Sequence, residues 1–299
     1  MKPRDIADLV LLAALWGASF LFMRVTAPHF GAVPLAALRV AGAALVLLPL
    51  LTVHSGLGPL RRHWRPIALV GASNSALPFL CFSFAALSIN AGLSSILNAT
   101  SPMFGALIAM LWLREASSTS RVAGLMIGFA GVVGLAWKPT GIGSGADGPS
   151  ASLAVGLCLV GSLLYGFSAC FARHALAGVN SLAVATGSQL SAALVLVVPA
   201  WWAWPVTNPP LHQWLAVLAL ALFCTGIAYV LYFRLIARVG PASAISVTFL
   251  VPAFAMFWAA VFLDEAVTPV MLVLCAVTLL GTSLATGMLR LPSLLRIRR

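Results

Sequence analysis

Apolar residues run along the chain in ten stretches of about 20, parted by short segments where glycine, proline and charge collect. A helix of about 20 apolar residues crosses a hydrocarbon core of roughly 30 Å. It also satisfies its own backbone where water is absent. The pattern predicts spans over 6–26, 33–53, 66–87, 92–113 and 120–137, then over 152–172, 180–202, 213–235, 241–263 and 268–289. Only Ser88 to Ala91 separate the third and fourth, which must form a tight hairpin. A membrane barrel would show segments of about ten residues in strict alternation, and the chain has none. The expected fold class is therefore an all-α integral membrane protein with ten transmembrane helices.

The second five stretches repeat the first. Pro102 precedes Glu115 by thirteen residues, and Pro252 precedes Glu265 by the same interval, 150 residues on. At nearly that offset Trp16-Gly17 falls on Tyr165-Gly166, Arg24 on Arg173, and the run from Ala43 to Leu47 on that from Ala192 to Leu196. Five is odd, so the second half enters the membrane from the opposite side. The expected organisation is two inverted five-helix repeats, residues 1–139 and 152–299, joined by an outer linker over 140–151 that is rich in Gly and Ser. Inverted repeats are an architecture of secondary transporters, with the solute site near the bilayer midplane.

Composition sharpens the picture. The chain is 62% hydrophobic and only 8% charged, against about 25% charged in soluble domains. A net charge of +11 raises the question of nucleic acid. The basic residues punctuate the apolar runs, however, and read as topology signals, so no nucleic-acid partner is expected. With the N-terminus in the cytoplasm, 14 of the 17 Lys and Arg residues fall inside, only Lys138 falls outside, and Arg24 and Arg39 lie within spans. This obeys the positive-inside rule and predicts a multi-pass protein of a bacterial inner membrane with both termini cytoplasmic. Trp201, Trp202, Trp204 and Trp214 suit an outer aromatic belt. Lys2 and Arg4 before an apolar run resemble a signal peptide, but Arg24 stands where small neutral residues would be needed, so the segment reads as the first span. The five cysteines lie in apolar runs, without a CxxC pair, and read as buried, inert thiols.

Polar and aromatic residues inside spans are the candidate site, because a polar group at membrane depth is costly unless it is paired or faces water. Asn74, Pro78 and Phe82 recur every four residues, and Thr225, Tyr229 and Tyr232 at intervals of four and three. With Trp16, Phe20, Phe79 and Tyr165 they predict an aromatic-walled cavity suited to neutral or zwitterionic solutes with an apolar part. Such stripes also serve as ordinary core. Asn98, within a run of small polar residues, is a further candidate, as is Thr248 in the matching stretch of the ninth span; helix packing explains these residues equally well. Arg39, about six residues into the second span, either binds a substrate carboxylate or caps helix ends; its repeat counterpart is Ser188 or Gln189. Pro78, Pro102 and Pro252 are expected hinges or helix breaks. Glu115 and Glu265 read as repeat-related structural anchors, and Gly124, Gly128 and Gly131 as a small-residue packing face.

Absences narrow the chemistry. All six acidic residues and all five histidines fall at span ends or in loops, so a conventional proton relay lacks its titratable group and facilitated diffusion or exchange is expected. Metal-protease, P-loop and nucleophile-elbow motifs are missing. No enzyme activity, cofactor or metal is expected. The partners are the lipid bilayer and a small-molecule substrate, and the chain is read as a monomer or weak homo-oligomer.

Trp16-Gly17-Ala18-Ser19-Phe20, Arg24, Pro34 and Arg39, with Pro102, Glu115, Pro252 and Glu265, resemble the EamA family of the drug/metabolite transporter superfamily. The resemblance covers both halves. It implies ten spans in two five-helix repeats and export or exchange of metabolites, often amino acids; a weaker likeness points to the aromatic-amino-acid exporter type. The expected function is an exporter or facilitator of small neutral or zwitterionic metabolites, amino acids foremost, by alternating access at a midplane cavity. The alternatives are a proton-coupled drug/metabolite exporter and, in a different class, a channel or accessory membrane subunit.

Overall fold

Helix ends follow local chemistry. The side chains of Asn90, Ser150, Asn180 and Thr268 each accept a hydrogen bond from the backbone amide three residues on, which satisfies donors that a helix N-terminus leaves open. Gly31, at φ 76°, turns the chain between its first two helices, in a backbone region that side chains rarely enter. The computed structural model describes residues 2–114, 118–137, 148–240 and 244–289; Glu115 lies outside them. The described residues are helical, with no strands.

Helix α1 covers Pro3–Phe30 and α2 Ala32–His54. The short α3 (Gly58–Arg62) leads into α4 (Trp64–Gly71), which continues through a π-helical turn, Ala72–Ala76, into α5 (Leu77–Ala85). Next come α6 (Ala91–Asn98), α7 (Ser101–Leu111) and α8 (Thr119–Trp137). Then come α9 (Ala151–Ala175), α10 (Ser181–Trp202) and α11 (Leu211–Ala221). A second π turn, Leu222–Ile227, joins α11 to α12 (Ala228–Val239), and α13 (Val247–Leu263) and α14 (Pro269–Ala285) follow. Among the described residues seven helical segments are long and apolar enough to cross a membrane, and three more apolar helices are shorter: Thr119–Leu135, Val247–Leu263 and Pro269–Ala285.

Two expected continuous spans are interrupted. The fourth breaks at Ala99 and Thr100, and Ser101 and Pro102 begin the next helix. Proline fits a first helical turn because it lacks only an amide that has no partner there. In the ninth span the turn falls at Ile245 and Ser246, and α13 then runs through Pro252 without a break, contrary to the expected hinge. Pro78 sits just after the first π turn. Its ring would crowd the carbonyl of Asn74, four residues back, and that residue lies within the wider turn. The two π turns begin 150 residues apart.

The halves meet through repeat-equivalent contacts. A Cβ on Gly17 would stand 2.7 Å from Phe254 Cβ and 2.9 Å from the Ala255 nitrogen. On Gly166 it would stand 2.6 Å from the Gly105 nitrogen and 2.9 Å from the Phe104 carbonyl carbon. Phe104 and Phe254 are 150 residues apart, Gly17 and Gly166 149. Likewise Gly42 closes on Ala221 and Gly71 on Ser191. Helix α8 lies along α14, where Gly124 meets Ala285, Gly128 meets Gly281 and Met103, and Gly131 meets Thr278. These glycines line the seam of this pair. Arg114 and Asp264, again 150 apart, are the described non-glycine residues with left-handed backbone, at φ 52° and 53°.

Candidate functional site

The two π turns carry polar side chains, Asn74, Ser75 and Thr225, that bond to residues of the other half. Thr225, in the second turn, donates its hydroxyl to the carbonyl of Leu220, five residues back, at 3.0 Å. A π turn leaves carbonyls short of their usual donors, and such turns recur at functional sites. The same Thr225 oxygen accepts from Arg39 Nε at 3.0 Å. Arg39 is buried, with Nη1 3.4 Å from the Met23 sulfur and Cζ 3.8 Å from the centre of the Phe79 ring. In the first π turn Asn74 Nδ2 donates to the Tyr229 hydroxyl at 3.1 Å, and the neighbouring Ser75 accepts from Gln189 Nε2 at 2.8 Å. Each of these three side-chain bonds joins a residue of the first half to one of the second.

Aromatic rings pack around them. Phe20 meets Phe82 edge-on at 5.9 Å, Phe82 stacks on Tyr165 at 6.1 Å, and Trp16 tilts against Tyr232 at 5.2 Å. The structure therefore places Trp16, Phe20, Arg39, Asn74, Phe79, Phe82, Tyr165, Gln189, Tyr229 and Tyr232 in linked contacts. Thr248 stands apart: its hydroxyl donates to the Ile245 carbonyl at 2.8 Å and closes the turn before α13. Asn98 ends α6, and among the described residues no hydrogen bond joins its amide to the cluster. Ser75 and Met23 are the partners missing from the expected set. Thr225 is legible by its spacing from Tyr229; Ser75 and Met23 carry no signal of their own.

These side chains touch one another across the two halves. A groove of about 820 Å³ lies elsewhere, between α2, α4 and α10, with Trp64, Leu194 and Trp201 among its walls. None of the expected site residues lines it. Four of the five cysteines are buried, whereas Cys81 is half-buried.

Both ends of α1 are clasped. At the N-terminal end Arg234 and Arg238 hold Asp8 at 3.2 and 3.0 Å, and Arg238 approaches Asp5 at 3.7 Å. At the other end Arg24 donates to Glu265 at 3.3 Å and to the Ala86 carbonyl at 2.7 Å, while the Ala91 amide donates to the second Glu265 oxygen at 3.0 Å. Glu265, in the loop after α13, thus joins the hairpin between α5 and α6 to α1. Burial pushes its carboxyl above the ordinary range, and the Ala91 amide and Arg24 pull the other way. Among the described residues Asp5 and Asp8 lie in the first two turns of α1, and Asp264 and Glu265 follow α13.

A model described as the EamA-like transporter family matches the chain twice, over 6–137 and 152–287. A relative from Bacillus subtilis, "Uncharacterized transporter YvbV", is 23% identical over 89% of this chain and 86% of its own. A "Probable terminal-alkyne amino-acid exporter" from Streptantibioticus cattleyicolor is 26% identical over 92% of this chain and 91% of its own. The "Uncharacterized inner membrane transporter YedA" of Escherichia coli K12 is 27% identical over 83% and 79%. A solved crystal structure superposes with a TM-score of 0.67 over 96% of this chain and 98% of its own, at 19% identity, a likeness of fold alone.

Proposed function

The chain belongs to the EamA-like transporter family, and from that premise we propose that it moves small neutral or zwitterionic metabolites, amino acids foremost, across a bacterial inner membrane. It does so with ten spans arranged as two inverted repeats, 1–139 and 152–299, joined by the outer linker 140–151, with both termini cytoplasmic. The observation that carries this reading is the set of bonds Arg39–Thr225, Asn74–Tyr229 and Ser75–Gln189, which join the halves inside their helices. A solute seated among them touches both halves at once, and rocking one repeat against the other exposes it to either side. The repeat-equivalent glycine contacts support that symmetry. The amino-acid class is supported by the exporter from Streptantibioticus cattleyicolor, and the membrane by the relative from Escherichia coli.

Transport proceeds without obligatory proton coupling. One observation favours the coupled alternative: Glu265 is a half-buried carboxyl whose proton is held more tightly than usual. Uptake of labelled amino acids into proteoliposomes, with and without a pH gradient, separates the two. The expected outcome is saturable uptake of a hydrophobic amino acid that the gradient does not change. Accumulation that needs the gradient would establish the coupled reading, and no amino-acid uptake at all would overturn the substrate class.

A further inference from the structure

Arg39 keeps only 6% of its surface accessible. A guanidinium has five N–H donors and does not give up its charge. Among the described residues two of those donors have acceptors, the Thr225 hydroxyl and the Met23 sulfur, and a thioether accepts weakly. Phe79 covers one face of the ion and offers it the negative face of its ring. None of these groups carries a negative charge. Of the described carboxylates, Asp5 and Asp8 pair with Arg234 and Arg238 and Glu265 with Arg24, while Asp264 is exposed after α13. A buried cation without a counter-charge is costly, and folding alone gives no reason to keep one.

A second group in the same cluster is also incomplete. Gln189 is fully buried, its nitrogen is taken by Ser75, and its oxygen Oε1 has no donor among the described residues. An unused cation and an unused acceptor therefore lie in one set of side chains, beside the Phe20–Phe82–Tyr165 row.

We propose that Arg39 is a carboxylate-binding residue and that the transported solute carries a single carboxylate beside an apolar part. The assignment rests on the transporter reading and narrows it, because neutral solutes without a carboxylate are excluded. Nε stays on Thr225, and the two terminal nitrogens offer a fork that a carboxylate takes with both oxygens. The apolar part lies against the aromatic row. An ammonium on the same solute gives Gln189 Oε1 its donor, so an α-amino acid meets both needs and a simple acid meets the first. A dianion leaves its second charge unmatched, since one cation serves the cluster among the described residues.

The test is thermal stability of the purified full-length protein with four probes: L-phenylalanine, 3-phenylpropionate, 2-phenylethylamine and phenylalaninamide. Near saturation the two carboxylates should raise the melting temperature by about 4 °C, and the amine and amide should not. Arg39→Gln should weaken phenylalanine binding about 100-fold, and Arg39→Lys, which keeps the charge but loses the fork, should weaken it too. If the glutamine variant does not fold, the wild-type probe series and the lysine variant decide. Equal stabilisation by phenylethylamine, phenylalaninamide and phenylalanine would overturn the carboxylate site and leave a transporter of amino compounds. Binding of phenylpropionate without phenylalanine would sink the amino-acid reading and leave Arg39 as assigned. Failure of both carboxylates to bind, or wild-type affinity in Arg39→Gln, overturns the proposal.

Discussion

Gly17 packs on Phe254 and Ala255 as Gly166 packs on Phe104 and Gly105, whereas Arg39 has no such twin: the equivalent position holds Ser188 or Gln189. The frame is written twice and the charge once. The difference has a physical reason. Close helix approach depends on the absence of a Cβ, and both halves need it wherever they slide or pack. A buried cation is costly at every copy, so a second one would repel the first without adding a second solute. A duplicated frame around an unduplicated charge is what a carrier needs if both conformations are to present the same solute group.

The seam between α8 and α14 should be the most sensitive part of that frame. A Cβ on Gly281 would run into the backbone of Gly128, where no side chain can swing aside. Gly281→Leu should cost about 3 kcal/mol or more, read as loss of monodisperse protein in detergent. Next, Gly17→Val and Gly166→Val each force a branched side chain against a neighbouring backbone, and each should cost about 2 kcal/mol. Equal drops in melting temperature support a duplicated frame. A drop in one alone breaks the comparison, because the two contacts would then carry different loads.

Much of this frame is legible in the amino-acid sequence. The 150-residue offset, the glycine spacing of α8 and the place of Glu265 at a span end are read from spacing and from the cost of bare polar groups. The site is legible as a set of residue types and much less as geometry. A π turn leaves no period in the sequence: Ala72–Ala76 and Leu222–Ile227 share their offset and a hydroxyl, Ser75 against Thr225, and little else. By its spacing Pro252 should break a helix as Pro102 begins one, yet the chain turns six residues earlier, at Ser246, and the proline is absorbed by α13. Thr248 has the chemistry of a site hydroxyl and instead serves that turn. Arg24 and Glu265 are 241 residues apart in sequence, and nothing local pairs them.

The site bonds can be tested one at a time. Tyr229→Phe removes the oxygen that Asn74 Nδ2 donates to and leaves a half-buried amide without that partner, at about 1 kcal/mol. Melting temperature should fall while binding of a carboxylate probe is retained. If stability is unchanged and binding falls instead, Tyr229 is a solute contact and the link between the halves runs through Arg39 and Gln189.

The smallest effect belongs to Glu265, and its sign is informative. Its carboxyl is pushed above the ordinary value of 4.5, chiefly by burial, so the folded chain holds that proton more tightly than the unfolded chain does. Its contribution to stability is then full below 4.5 and is lost as pH rises through the raised value. Wild-type protein should lose stability relative to Glu265→Gln across that window, by less than about 1 kcal/mol, because the Ala91 amide and Arg24 favour the charged form. Melting temperatures of the two proteins, taken from about pH 4 upward, decide the matter. A wild type that gains on the variant as pH rises means that Arg24 outweighs burial. The clasp at that end of α1 is then a plain ion pair, Glu265 holds no proton near neutral pH, and the coupled mode of transport loses the one carboxyl that favoured it.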